Sequence, residues 1–287
     1  MQKYIFIIIL LLVALFFYEK ETKIINDNKI FISIASYRDP QLIPTVKSLF
    51  DNATNPKLLR VVVCEQNKNT DDFYLEDDRV EIISLDYTQA KGPTHARYLI
   101  QQEWKGEQYY LQIDSHTRFV KDWDTKLRNE LSMLPKLSCL SNYVSTYDIK
   151  TGKVINSPLR GPMKVVEWDS DRICRYNSSY MKEGIVKEPM RSKGWSGCFS
   201  FSSSQIILDA PYDYNTPFLF FGEEMDIYER LKSRGWEMFV PYEPICFTLF
   251  DRSYRKTFWE HPDSKWRGKI SKQRVVDRLY NGANHGL

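Results

Sequence analysis

The sequence predicts an α/β fold: a mainly parallel central sheet flanked by helices, with a smaller antiparallel region to one side. Three observations carry this expectation. Through the first half of the chain, short apolar runs alternate with helical patterns of about ten residues, the rhythm of strand–helix–strand units. A polar stretch at 142–191, with Gly and Pro scattered through it, then interrupts the pattern. Regular signals return from residue 195 to residue 241.

The elements follow in order. Residues 29–35 (KIFISIA) read as a strand, and residues 40–50 as a helix with Pro near its start. Residues 58–64 (LLRVVVC) form a buried strand and 80–85 another. Residues 94–104 are helical, with Leu99 and Ile100 inward and Thr94 as a cap. A strand at 109–113, a helix at about 122–134 and a short strand near Leu137 complete the first half. Loops and short antiparallel strands are expected across 142–191, then regular runs at 195–201 and 218–221, a helix at 223–234 and an apolar run at 238–241. No repeat or linker divides residues 29–287, which read as a single domain.

Composition narrows the function. The 287 residues suffice for a large core, and the net charge of +3, with Lys and Arg interspersed among Asp and Glu, argues against nucleic acid as a partner. Cys64, Cys139, Cys174, Cys198 and Cys246 show no C-x-x-C spacing, which disfavours a zinc cluster. Cys174 and Cys198 are a candidate disulfide in an oxidising compartment. Residues 4–18 form an uninterrupted apolar run followed by Glu19, Lys20, Glu21 and Lys23. Without a small-residue cleavage site, it reads as an uncleaved signal anchor (1–18) ahead of a short stem (19–28), with a removed signal peptide as the alternative. Two sequons, at Asn52 and Asn177, would be available to glycosylation if the domain faces the ER or Golgi lumen.

The sharpest motif is Asp114-Ser115-His116, at the end of an aromatic-rich strand. Ligands of α/β sheets gather beyond the strands' carboxyl ends. There, a carboxylate and an imidazole one residue apart can share a divalent cation such as Mn²⁺. Ser36 and Arg38, after the first strand, suit a nucleotide base and phosphate or a structural turn. Glu65, ending the second strand, suits ribose hydroxyls or a surface turn. Arg97, in the first turn of a helix opened by Gly92-Pro93, favours an anionic ligand. Glu223 and Glu224 follow Phe220-Phe221-Gly222 at another helix start, where acids are favoured by the dipole and can also grip hydroxyls.

Together the runs SIASYRD (33–39), GPTHARYL (92–99), YYLQIDSHTRF (109–119), PFLFFGEE (217–224) and RLKSRGWEMFVP (230–241) resemble the α-N-acetylglucosaminyltransferases that modify hydroxyproline of the ubiquitin-ligase subunit Skp1. The resemblance covers residues 30 to about 260. It implies a GT-A fold with a nucleotide-binding half (29–141) and an acceptor half (142–287). It also implies a UDP-sugar donor, UDP-GlcNAc first, a protein or glycan acceptor, a divalent cation (Mn²⁺, or Mg²⁺), and retention of anomeric configuration. On this basis Asp114 and His116 are metal ligands, Ser36, Arg38, Glu65 and Arg97 lie around the nucleotide, Glu223 and Glu224 stand where sugar and acceptor meet, and Asp114, Glu223 and Glu224 are the catalytic residues.

The chain departs from this pattern twice. Thr248 occupies the place where a late His is expected, with His261 as a conceivable substitute. The N-terminal anchor is the second departure, since the Skp1 enzymes act in the cytoplasm. Two rival readings follow: an inverting GT-A transferase with Glu223 or Glu224 as base, and a membrane-anchored nucleotide- or glycan-binding protein without turnover.

Overall fold

A computed structural model describes residues 24–25, 27–68 and 77–282. The proposed signal anchor lies outside the described residues. Among those residues, no helix is long and apolar enough to cross a membrane.

The strands are β1 (Ile30–Tyr37), β2 (Leu59–Asn67), β3 (Val80–Asp86), β4 (Tyr109–Asp114), β5 (Thr117–Phe119), β6 (Ser138–Ser141), β7 (Ser145–Thr146), β8 (Leu159–Arg160), β9 (Lys164–Trp168), β10 (Cys174–Asn177), β11 (Tyr180–Met181), β12 (Met190–Ser192), β13 (Phe199–Ser203), β14 (Glu237–Val240) and β15 (Cys246–Thr248). The helices are α1 (Leu42–Asp51), α2 (Pro93–Gln102), α3 (Trp123–Ser132), α4 (Gln205–Asp209), α5 (Glu223–Ser233) and α6 (Ser264–Tyr280).

Eight strands build one sheet in the order β12-β14-β6-β13-β4-β1-β2-β3. The run β4-β1-β2-β3 is parallel, as is β6 with β14. Strand β13 enters antiparallel between β4 and β6, and β12 is antiparallel on the far edge. Alternation along β1 sorts the core into two layers. Ile30, Ile32 and Ile34 face α1 and α3 through Val46, Leu49, Trp123 and Leu127. Phe31 faces the other layer, where Ala96 and Ile100 of α2 meet Ile227 and Leu231 of α5.

The expected strands and helices of the first half form within a few residues of their predicted bounds. Helix α1 begins at Leu42, with Leu42, Val46 and Leu49 buried at helical spacing. Helix α2 starts at Pro93 after Gly92, whose φ of 86° only glycine adopts readily. Thr94 does not cap it; its hydroxyl donates to the Thr216 carbonyl at 2.9 Å. The 142–191 stretch carries the small antiparallel pairs β9–β10 and β8–β11, while β7 joins β15 and β5 in a separate three-stranded sheet.

Other expectations need correction. Residues 218–221 are not a regular element: Phe218 takes a φ of 60°, and the aromatics form turns before Gly222. Cys174 and Cys198 are free thiols, each buried in a different apolar cluster. Helix α6 gave no strong signal because much of its surface is polar. Its buried Val275 and Val276 pack with Leu219 and Met225, and the Ser271 hydroxyl donates to the Pro217 carbonyl at 2.5 Å.

Trp123 anchors the α1–α3 layer: it is fully buried, its indole N–H donates to the Leu49 carbonyl at 2.9 Å, and its ring lies 4.6 Å from that of Phe119. Trp123→Ala should therefore cost about 3–5 kcal/mol of unfolding free energy, measured by urea denaturation.

Candidate functional site

A cleft of about 650 Å³ opens at the carboxyl ends of β1 and β4, lined among others by Tyr37, Arg97, Asp114, His116, Arg252 and Trp259. The parallel register sets Ala35 beside Asp114, so β1 and β4 end together and deliver the Asp-x-His turn to the cleft floor. Asp114 Oδ2 lies 3.6 Å from His116 Nε2.

His116 is fixed from behind. Its Nδ1 lies 2.7 Å from Asp39 Oδ2, with Asp39 buried. Asp39 also accepts from the Ser115 hydroxyl (2.7 Å), the Tyr254 hydroxyl (3.2 Å) and the Gln41 backbone N–H (2.9 Å), and pairs with Arg255 at 3.2 Å. Burial opposes its ionisation, but His116, Arg255 and the Gln41 N–H outweigh that and hold the carboxyl at about 2. With Nδ1 engaged by Asp39, Nε2 is the ring nitrogen turned toward Asp114. A carboxylate behind a ligating imidazole is the usual support of a metal-bound histidine.

Asp114 is braced through Arg97. The Arg97 guanidinium is buried; Nη2 donates to Asp114 Oδ1 (3.2 Å) and to the Gly197 carbonyl (2.9 Å), and Nη1 donates to Glu223 Oε1 (2.5 Å). Burial alone would weaken its protonation, but Glu223, Tyr212 and Asp114 reverse that and raise its pKa further. Glu223 also accepts from the Tyr212 hydroxyl at 2.5 Å, and Gln112 Nε2 donates to the Gly197 carbonyl at 2.9 Å. A side chain at Gly197 would crowd this pair: its Cβ would stand 3.0 Å from Arg97 Nη1 and 3.3 Å from Glu223 Oε1.

Glu224 faces away from this network. Its Oε1 accepts from the Gly197 N–H at 3.0 Å and its Oε2 from the Tyr143 hydroxyl. Burial raises its carboxyl to about 7. The two adjacent glutamates therefore differ: Glu223 is locked into an ion pair, and Glu224 sits poised between charged and neutral.

The other sequence-predicted residues sit elsewhere. Ser36 is buried, and its carbonyl accepts from Gln66 Nε2 at 2.9 Å. Arg38 pairs with Glu260 at 2.5 Å and lies 4.5 Å over the Tyr87 ring. Together with Glu65 and Asp39, it lines an adjoining groove rather than the cleft itself. Asp114, His116, Arg97 and Glu223 are thus brought together, while Arg38 and Glu65 form a neighbouring set.

Several cleft residues were not singled out from sequence. Asp39, inside SIASYRD, was hidden as one acid in a turn. Arg252 and Arg255 line the cleft from the segment after β15, where no local pattern marks them. Thr248 lies in β15, fully buried and opposite Thr117, its hydroxyl 3.5 Å from the His116 carbonyl. It is next to the motif but turned toward backbone. His261 is not a substitute ligand: Nε2 lies 2.9 Å from the Thr88 carbonyl, and Nδ1 accepts from the Asp263 N–H at 3.1 Å.

Among the described residues, no group of three His, Cys, Asp or Glu side chains is placed to hold a metal. The pair Asp114–His116 nevertheless fits a cation that finds its remaining ligands elsewhere. Donors 3.6 Å apart can both reach an ion at bonds of about 2.0–2.3 Å, and the imidazole is already oriented.

The family model described as "Glycosyltransferase (GlcNAc)" matches residues 29–78 and 72–281. The chain belongs to this glycosyltransferase family. Among solved structures it is similar to the crystal structure of GalNAc-T7 with UDP, GalNAc and Mn²⁺, with a TM-score of 0.67 and 16% identity over 87% of this chain and 47% of that one. The likeness shows the GT-A fold; this glycosyltransferase chain spans about half the length of that relative. No curated protein matches it.

The Glu224 environment sets a measurable pH dependence. Its pKa rises from 4.5 to about 7 on folding, so between those values the unfolded chain binds fewer protons than the folded one. Stability from this group should fall as pH rises across that window and level off above it. Relative to Glu224→Gln, the wild type should lose up to about 1.4 kcal/mol per pH unit there, measured by urea unfolding from pH 4 to pH 8.

Proposed function

We propose that the chain transfers N-acetylglucosamine from UDP-GlcNAc to a hydroxyl of a protein or glycan acceptor, with retention of configuration and with Mn²⁺, or Mg²⁺, as cofactor. The observation that carries this reading is the Asp114–His116 pair at the sheet's carboxyl end, with His116 oriented by Asp39. Membership of a glycosyltransferase family and the fold of a neighbour solved with UDP and Mn²⁺ support it.

In this reading Asp114 and His116 would hold the cation, which when bound would neutralise charge on the donor diphosphate. Arg252 and Arg255, which also line the cleft, would add positive charge where the leaving group develops its negative charge. The bond from the anomeric carbon to the diphosphate oxygen breaks, and the electron pair leaves with UDP. The acceptor oxygen bonds to the same carbon, and its proton goes to an oxygen of the departing diphosphate. Arg97, backed by the buried Glu223, holds Asp114 in place, while Glu224 would stand on the acceptor side. Arg38, Glu65 and Ser36 bound the nucleotide end. The apolar residues 4–18 would anchor the chain with the domain facing the ER or Golgi lumen.

One observation favours a second route. Glu224, with its carboxyl near neutrality, suits a general base for an inverting transfer; NMR of the product anomer separates the two.

Asp114→Ala should lower release of UDP from UDP-GlcNAc by at least about 100-fold. Asp39→Asn should weaken Mn²⁺ binding in the presence of UDP by about 10–100-fold. A coupled UDP assay and calorimetry read these out; near-normal turnover in Asp114→Ala would remove Asp114 from the site.

A further inference from the structure

Helix α6 is packed the wrong way round for a helix that borders water. Over its first turns the inward positions are small. Ser264 and Ser271 are buried, and a Cβ added at Gly268 would stand 3.0 Å from the Phe218 carbonyl oxygen. The large apolar side chains point outward instead: Trp266 is 56% exposed and Ile270 60%. A surface helix ordinarily turns its apolar stripe to the core. Single exposed apolar residues are common, but these two lie one turn apart on the same face. The inversion calls for something apolar outside the fold.

The same part of the helix is basic. Residues 264–276 contain five Lys and Arg and no acid. Three of the five are engaged by neighbouring carboxylates: Lys272 by Asp169 and Asp171 at 2.6 Å, Arg274 by Asp213 at 3.3 Å, and Arg267 by Asp263 at 3.7 Å. Lys265 and Lys269 are exposed and have no ion-pair partner among the described residues. At 3.6 residues per turn they run along one flank of the Trp266–Ile270 ridge, with Arg267 and Arg274 along the other. The Trp266 indole N–H already has an acceptor, Asp263 Oδ1 at 3.1 Å. The face also runs up to the cleft: the Ser264 hydroxyl donates to the carbonyl of Trp259, a cleft-lining residue that is 42% exposed.

A ridge of Trp and Ile between rows of Lys and Arg suits an apolar phase lying beneath a negatively charged surface. A bilayer containing anionic phospholipid offers both. Basic side chains meet headgroup phosphates, and Trp and Ile enter the boundary between headgroups and acyl chains. An acidic protein would have to supply the charge and a separate pocket for each of two convex side chains.

We propose that the exposed face of α6, formed by Lys265, Trp266, Lys269 and Ile270, docks on the surface of a membrane containing anionic phospholipid. This goes beyond the transferase reading and depends neither on it nor on the apolar residues 4–18.

The test puts a fluorophore on the face and leaves the chain at full length. Ile270→Cys carries a bimane label, and the five native cysteines, all buried, leave residue 270 as the reactive thiol. The labelled chain is titrated with phosphatidylcholine vesicles, with or without phosphatidylserine, and quenching by phospholipids brominated on the acyl chains is read. Residues 4–18 could carry the chain to any vesicle, but only contact of α6 with acyl chains quenches this label. Quenching should be strong with phosphatidylserine and weak without it. Lys265→Gln combined with Lys269→Gln should raise the lipid concentration for half-quenching about 25-fold, at about 5-fold per lysine. Added salt should act in the same direction, and Trp266→Ser should raise that concentration about 10-fold or more.

The proposal is overturned if quenching is equal in the two kinds of vesicle, absent from both, or unchanged in the double glutamine variant. Two further results would also overturn it. Shielding of the label without lipid, growing with protein concentration, would mean that a second copy covers the face. A response to polyglutamate but not to vesicles would mean an acidic polypeptide. A chain that releases UDP from UDP-GlcNAc but shows no quenching keeps the transferase reading and loses only this one.

Discussion

The site depends on one buried cation. Arg97 lies in the first turns of α2, yet its guanidinium reaches the end of β4, the Gly197 carbonyl ahead of β13 and the first residue of α5. Four segments distant in sequence thereby converge on one planar group. A buried charge of this kind is tolerated because each contact is a charge-assisted or carbonyl hydrogen bond, and removing a partner would leave charge uncompensated. The consequence is positional. Asp114 Oδ1 is taken by Arg97, so only Oδ2 remains toward His116. The glycine at 197 is part of the same constraint, since any side chain there would press on the Arg97–Glu223 pair.

A second layer of order comes from Asp39. Placed just after β1, it gathers donors from its own loop, from the Asp-x-His turn and from the segment after β15. Arg97 fixes the carboxylate of the pair and Asp39 fixes the imidazole. Both are buried, so the two cleft-facing atoms are oriented largely by the interior of the protein rather than by each other.

Much of the fold was legible in the sequence because the first half obeys simple periodicities. Ile30, Ile32 and Ile34 alternate with Phe31 and Ser33, and Leu42, Val46 and Leu49 repeat at helical spacing. Helix α6 was not legible, since Lys, Arg and Ser dominate it and its buried contacts come from few positions. The aromatic run 218–221 misled for the opposite reason: strong apolarity without alternation, bent by the positive φ of Phe218. In the site, the Asp114–His116 motif could be read because its residues are adjacent in sequence. The distinction between Glu223 and Glu224 could not, because it depends on which carboxylate meets Arg97 and which meets Tyr143, partners 126 and 81 residues away. Arg252 was hidden similarly, on an irregular segment whose meaning lies in the cleft it borders.

Strand β13 has a wider consequence. Because it inserts between β4 and β6, hydrogen bonds run unbroken across the sheet from β12 to β3. The two halves are therefore not cassettes that recombination could exchange. A chain cut before β13 would expose the edge of β4, an invitation to aggregation. The stretch from β7 to β11 contributes no strand to that sheet. Its length could change without breaking a strand pairing of that sheet, provided Tyr147, whose hydroxyl meets the His116 carbonyl, and the apolar residues packed with Met225 are kept.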